Sequence, residues 1–334
     1  MSASSTALAL PSRFSIGDTS KMWIAVAAIV IAGAIGYFAF DDDLAFLTRM
    51  LGIALFVMSL DLVIGYCGVA TLGHAVLFGA GAYAAGIACV NGLTEPVSLL
   101  ILGAIAGGVM GLINGALIVR FAGLPQLVLS IAFVQLMNSV ANKASKFTGG
   151  SDGLSGVTPT PVLGLFAFDL YGRTTYVFAL IVVVLTFILL WRIVKSPFGL
   201  LCQGIKEDPV RVQSLGANVT PTLVKMYGIS GAIAGMGGAL AGITAGVVGL
   251  DSVSFERSAE ALVMLVVGGA GSLYGALIGT VVFQIFEHTV SKAYPFHWLI
   301  LIGSALIAVV LFLPRGLQGL GSAVANLFSK RGGQ

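Results

Sequence analysis

Few residues of this 334-residue chain carry side chains able to do chemistry, and those few fall into two sets. The first set is polar and lies inside apolar runs: Asp61, Thr71, His74, Asn114, Gln135, Asn138, Gln284 and the pair Glu287–His288. No nucleophile–base pattern and no metal-ligand spacing of His, Cys, Asp or Glu appears, which argues against an enzyme. A polar or ionisable group in such a run marks either a solute path or a bond to interrupted backbone. Asp61, Thr71, His74, Gln135 and Asn138 are the candidates for the path. The competing role for Asp61 and His74 is to hold broken backbone between Gly65 and Gly73. Glu287 lies near the end of its run, where reaching out to water is the simpler account. No ladder of carboxylates suggests a proton relay.

The second set is the polar segment from Ser196 to Gly216. Glu207 and Asp208 are expected to open a short helix, because acids favour the positive end of the helix dipole. Pro209 fits its first turn. Val210 with Ser214, and Arg211 with Leu215, share faces of it. Gly216 closes it as a C-terminal cap. The product is one short surface helix with a charged side and an apolar side.

Both sets have to be positioned by membrane helices. Hydrophobic residues make up 57% of the chain and charged ones only 9%, against about 25% charge in ordinary soluble domains. The mean hydropathy is +1.02. The net charge of +3 is small and basic residues never cluster with interleaved aromatics, so no nucleic-acid partner is expected. Cys67, Cys89 and Cys202 are odd in number and lack metal spacing, so no disulfide or metal is inferred.

A helix needs roughly 20 apolar residues to cross a bilayer. Ten runs are expected to cross: 22–40, 46–65, 72–90, 97–119, 125–141, 175–194, 221–247, 258–270, 272–290 and 298–313. The first reads as a retained span rather than a cleaved signal. Residues 1–21 and 321–334 read as tails, and 22–320 as one all-α polytopic helical bundle. With both ends cytoplasmic, the inner side receives Arg13, Lys21, Arg120, Arg192, Lys195, Lys206, Arg211, Lys225, Arg315, Lys330 and Arg331. The outer side then holds only Arg49, Lys143, Lys146, Arg173, Arg257 and Lys292, as the positive-inside rule requires.

Small residues recur at four-residue spacing in Gly103–Gly107–Gly111–Gly115, Gly238–Gly242–Gly246 and Gly275–Gly279. Such stripes allow close helix contact, either within this chain or with a second membrane subunit. Two Gly-rich stretches interrupt the helical pattern, Gly65 to His74 and Gly268 to Gly275. They read either as breaks beside a transport path or as tight turns between helices.

The segment 196–216 resembles the coupling loop of an ABC importer permease, in particular the branched-chain amino-acid permease family of LivM type. The marks are the acidic pair, the short helix and Ser214-Leu215-Gly216-Ala217-Asn218-Val219-Thr220. Others follow the family order: Gly65-Tyr66 through Gly73-His74 to Tyr83, Thr148-Gly149-Gly150-Ser151-Asp152-Gly153-Leu154, Val267 to Gly275, and Leu313-Pro314-Arg315-Gly316-Leu317. Val69 stands where many relatives place Gln, and Phe121 to Asn138 departs from the leucine-type pattern, so the substrate stays open among amino acids, amides and small acids.

The resemblance implies a subunit of the bacterial inner membrane with a second homologous permease subunit, two ATP-binding subunits and a periplasmic solute-binding protein. ATP and magnesium would be used by the partners, since this chain has no phosphate-cradling Gly-Lys-Ser/Thr loop and is expected to bind no cofactor. Phe198, Val210 and Leu215 would anchor the ATPase contact, Glu207, Asp208 and Arg211 would set its charge, and Ser214 and Gly216 would complete the helix. The alternative is a stand-alone secondary transporter or channel.

Overall fold

The computed structural model describes residues 16–40, 43–161, 172–293 and 303–304. All but 303–304 of the expected tenth span 298–313, the Leu313–Leu317 mark, the tail 321–334 and most of the tail 1–21 lie outside the described residues. Twelve helices are described: α1 (Ile16–Ala39), α2 (Leu44–Asp61), α3 (Ala75–Val90), α4 (Pro96–Ile118), α5 (Leu124–Lys143), α6 (Ser145–Thr148), α7 (Arg173–Lys195), α8 (Pro197–Glu207), α9 (Pro209–Ser214), α10 (Val219–Ala245), α11 (Phe255–Gly268) and α12 (Leu273–Ala293). Seven are long and apolar enough to cross a membrane, namely α1, α2, α4, α5, α7, α10 and α12. The runs at 72–90 and 258–270 are also helical, as α3 and α11, but at 16 and 14 residues they are too short to cross alone. The only strands described, β1 (Leu154–Ser155) and β2 (Val247–Val248), pair antiparallel and join the loop after α6 to the end of α10.

The bundle is built around α2 and α10. Every residue of α2 from Gly52 to Asp61 is buried, including Leu55, Phe56, Met58 and Leu60, and α10 buries Met226, Tyr227, Ile233 and Leu240. The outer helices show why no aqueous exterior is needed. Ile101, Ile105 and Val109 of α4 are exposed at four-residue spacing, while Gly103, Gly107 and Gly111 are buried. The two stripes are two residues apart and so occupy opposite faces. Large side chains face outward and backbone faces inward, the arrangement of lipid-solvated helices.

The inward glycines make a seam within this chain. A methyl group at Gly107 would overlap the Gly231 carbonyl, one at Gly235 the Gly103 carbonyl, and one at Gly81 the Gly235 carbonyl. Gly238 is closed in the same way by the Phe78 carbonyl of α3, and Gly279 of α12 by the Met264 carbonyl of α11. The α4 stripe therefore meets Gly231 and Gly235 of α10, whereas the Gly238–Gly242 stripe faces α3.

Candidate functional site

The loop between α7 and α10 is two helices. Ser196 caps α8, its Oγ accepting from the Gly199 N–H at 3.2 Å, and Gly199, Cys202 and Ile205 turn inward. Asp208 then leaves helical geometry and caps α9, accepting from the Arg211 N–H at 3.0 Å, with Pro209 in the first turn. This corrects the expectation of one helix opened by both acids: Glu207 closes α8, and only Asp208 opens α9. An acid that caps must adopt extended backbone, which ends the preceding helix. Gly216 follows α9 with φ of +87°, a conformation that a side chain would strain.

The exposed side of this loop is mixed. Val210 and Leu215 are 70% and 82% exposed, while Arg211 lies 3.6 Å from Asp208 in an open ion pair. Ser214 is also exposed, and Glu207 points to the surface at the end of α8. Val212 turns the other way into the core. Phe198 is half-buried and packs against the core near α4 and α10.

The end of α8 reaches the two Gly-rich interruptions, which lie against each other. Lys206 Nζ donates to the Gly65 carbonyl at 2.6 Å, and the Gly271 N–H donates to Asp61 Oδ1 at 2.7 Å. A side chain at Gly65 would overlap both Asp61 and the Gly271 amide. Lys206 of the loop, 141 residues from Gly65, therefore bonds to the same junction that Asp61 and Gly271 close across 210 residues. The Cys67 and Cys202 thiols, from the first interruption and from α8, lie next to each other beside it.

The interruptions differ in kind. The second is a turn of a few residues between α11 and α12, with Gly269 and Gly271 at positive φ. The first is a π-helical turn over Leu62–Tyr66 followed by irregular chain up to α3. Irregular backbone inside a membrane bundle needs partners for its amides. Ser130 of α5 accepts from Leu72 N–H at 3.0 Å, and Ser258 of α11 accepts from Ala75 N–H at 2.9 Å. Thr71 Oγ1 accepts from Gly73 N–H at 3.2 Å. His74 Nε2 bridges Ser59 of α2 at 3.0 Å and Ser230 of α10 at 3.2 Å, with its ring stacked on Phe56.

The five candidate path residues thus fall in three places. Asp61, Thr71 and His74 are buried around the first interruption. Asn138 donates to the Leu250 and Val253 carbonyls at 3.1 and 3.3 Å, tying α5 to the segment before α11. Gln135 lies exposed on the outside of α5 with Ala132, Ser139 and Asn142. Sequence reasoning missed Lys206, which reads as one more loop cation, and the four serines, whose common role in spans is to bond their own helix. Among the described residues, no group of three or more His, Cys, Asp or Glu could hold a metal.

The model of the family described as the branched-chain amino acid transport system permease component matches residues 44–313. The chain belongs to this permease family. It is 23% identical to the high-affinity branched-chain amino acid permease protein LivM of Salmonella typhimurium, over 90% of this chain and 76% of that protein. A probable LivM of Methanocaldococcus jannaschii is 22% identical over 78% of this chain and 88% of its own length. The galactose/methyl galactoside import permease protein MglC of Salmonella typhimurium is 27% identical over 65% of this chain and 67% of its own length. No solved structure is detectably similar. The chain is therefore a multi-pass membrane permease component of a transport system. Of this permease's marks, the acidic pair, Gly65–His74 and Val267–Gly275 converge on Lys206, whereas Gly149–Gly153 lies at the far end of the bundle.

Proposed function

We propose that this chain is the membrane-spanning subunit of an ATP-driven importer in a bacterial inner membrane, and that Lys206 couples its ATPase partner to its gate. The bond from Lys206 to Gly65 carries this reading. It joins the surface loop to the place where the segments after α2 and between α11 and α12 meet, with Gly65 against the Asp61 carboxylate and the Gly271 amide. Exposed Val210 and Leu215 with the Asp208–Arg211 pair and Glu207 make a face suited to a groove on an ATP-binding subunit. Phe198 backs that face from within. Movement of α8 and α9 on ATP closure would draw Lys206 from the Gly65 carbonyl and let the two interruptions slide, a rigid-body switch between two arrangements. Asp61, Thr71 and His74 hold the interruption together during that movement.

The assembly would contain a second homologous permease subunit, two ATP-binding subunits and a periplasmic solute-binding protein, with both termini of this chain cytoplasmic. The polar stripe of Gln135, Ser139 and Asn142 on the outside of α5 supports the second subunit. Amides and hydroxyls are costly against lipid, so a partner facing them across a solute path is the economical arrangement. The cargo is a branched-chain amino acid or a similar small polar organic solute.

Reconstitution tests the proposal. Co-purification with ATP-binding subunits, and solute uptake in liposomes only when those subunits and ATP are present, is the expected result. Uptake by this chain alone, driven by an ion gradient, would replace it with a stand-alone carrier.

A further inference from the structure

At the end of the bundle opposite α8 and α9, a cavity of about 620 Å³ opens between the first turns of α2, the last turns of α10, residues 151–153 and residues 247–257. That volume lies within the range of small-molecule sites. Two cations, Arg49 and Arg257, and two carboxylates, Asp152 and Asp251, line it together with Phe46, Phe78 and His288, whose ring stacks on that of Phe46 at 4.2 Å. Equal numbers of opposite charges beside aromatic rings suit a net-neutral ligand that carries both charges and an apolar part. No Asn or Gln lines the cavity among the described residues, so the side-chain amides that satisfy an uncharged sugar are missing from this wall.

Arg257 is the least expected of the four. Its N–H bonds the Ser254 cap of α11 at 3.1 Å, so its cation stands in the first turn of a helix, where the dipole disfavours it. Its side chain is only 15% exposed and is held by Glu260 and Asp251, each at 3.1 Å. Asp251 is itself 68% exposed, leaving acceptor capacity open to the cavity, and Arg257 Nε has no hydrogen-bond partner among the described residues. A cation kept inside a membrane bundle, at the wrong end of a helix, is a functional group by default.

We propose that this cavity is a transit site in which this subunit itself binds an α-amino-acid zwitterion with an aliphatic side chain. The carboxylate meets Arg257 and Arg49, the ammonium meets Asp251 and Asp152, and the side chain lies over Phe46 and Phe78. The proposal rests on the amino-acid reading of the cargo, and adds a site inside one subunit to the path between two.

The test uses the full chain in phosphatidylglycerol nanodiscs, with L-leucine as probe and saturation-transfer NMR as readout. Leucine should bind at least tenfold more tightly than 4-methylpentanoate, isopentylamine or fructose. Arg49→Gln and Asp152→Asn, both at exposed positions, should each weaken leucine binding about tenfold without moving the unfolding temperature. Equal binding of fructose or 4-methylpentanoate, or unchanged leucine binding in both variants, overturns the site. Leucine binding that persists in phosphatidylethanolamine nanodiscs supports a solute site. Its loss there assigns the charges to a lipid headgroup and overturns the proposal. In the assembled transporter, ATP-driven leucine uptake that both variants leave intact overturns the cavity alone, whereas absence of amino-acid uptake in every form overturns the cargo reading beneath it.

Discussion

Two regions of this permease are both built on glycine, yet they are held in opposite ways. The seam between α4, α10 and α3 is closed by backbone lying on backbone at Gly81, Gly103, Gly107, Gly231 and Gly235, with no charge near it. The junction at Gly65 and Gly271 also brings backbone close to backbone, but there a lysine and a carboxylate reach in to hold it. Dispersion packing at the seam has one deep arrangement and no alternative partner. A charge-assisted bond to a carbonyl can be exchanged for water or another acceptor when the loop moves. On the proposed coupling, the seam is the rigid frame and the junction is the part that moves.

The comparison can be broken most severely at the seam. Gly235→Val would drive a branched side chain into the Gly103 carbonyl, and the loss should exceed the ~1–3 kcal/mol of ordinary overpacking. Little folded protein is expected in the membrane, as read by detergent-extracted yield and thermal unfolding. Gly65→Ala comes next. It collides with Asp61 and the Gly271 amide, so the junction should open and uptake should fall at least tenfold while most of the protein still folds. A normal uptake rate in that variant would mean that the junction is not part of the gate. Asp208→Ala removes the cap of α9 and should cost ~0.5–2 kcal/mol locally, loosening ATPase binding without changing extraction yield. Gly108→Ala, one residue from Gly107 but facing Ala232 at an ordinary 3.5 Å, should change stability by less than ~1 kcal/mol. Similar damage at 107 and 108 would remove the seam from the account.

Much of the frame was legible in the sequence. Apolar runs of span length gave the helices from α1 to α12 that cross or enter the membrane, because lipid allows little besides hydrophobicity to decide them. The short, charged character of 196–216 and the oddity of the two Gly-rich stretches were legible for the same reason, as departures from that rule. The meeting of Lys206, Gly65, Asp61 and Gly271 was not, since it is made by contacts far apart in the chain and by side chains that look ordinary where they stand. The split at Asp208 was hidden because either member of an acidic pair satisfies a helix N-terminus. The pairing of glycine stripes was ambiguous in α10, where Gly231, Gly235, Gly238 and Gly242 share one face and only packing tells which of them meet α4 and which meet α3. The serines carry no sequence signal until their partners are in place: irregular backbone for Ser130 and Ser258, the His74 ring for Ser59 and Ser230.

The most direct measurement is the ratio of solute uptake to ATP hydrolysis in liposomes carrying the assembled transporter with Lys206→Met. The methionine keeps the length of the side chain over Gly68 but cannot donate to the Gly65 carbonyl. Hydrolysis within about twofold of the parent with uptake reduced at least tenfold is the expected result. An unchanged ratio would contradict the claim that Lys206 links the loop to the gate.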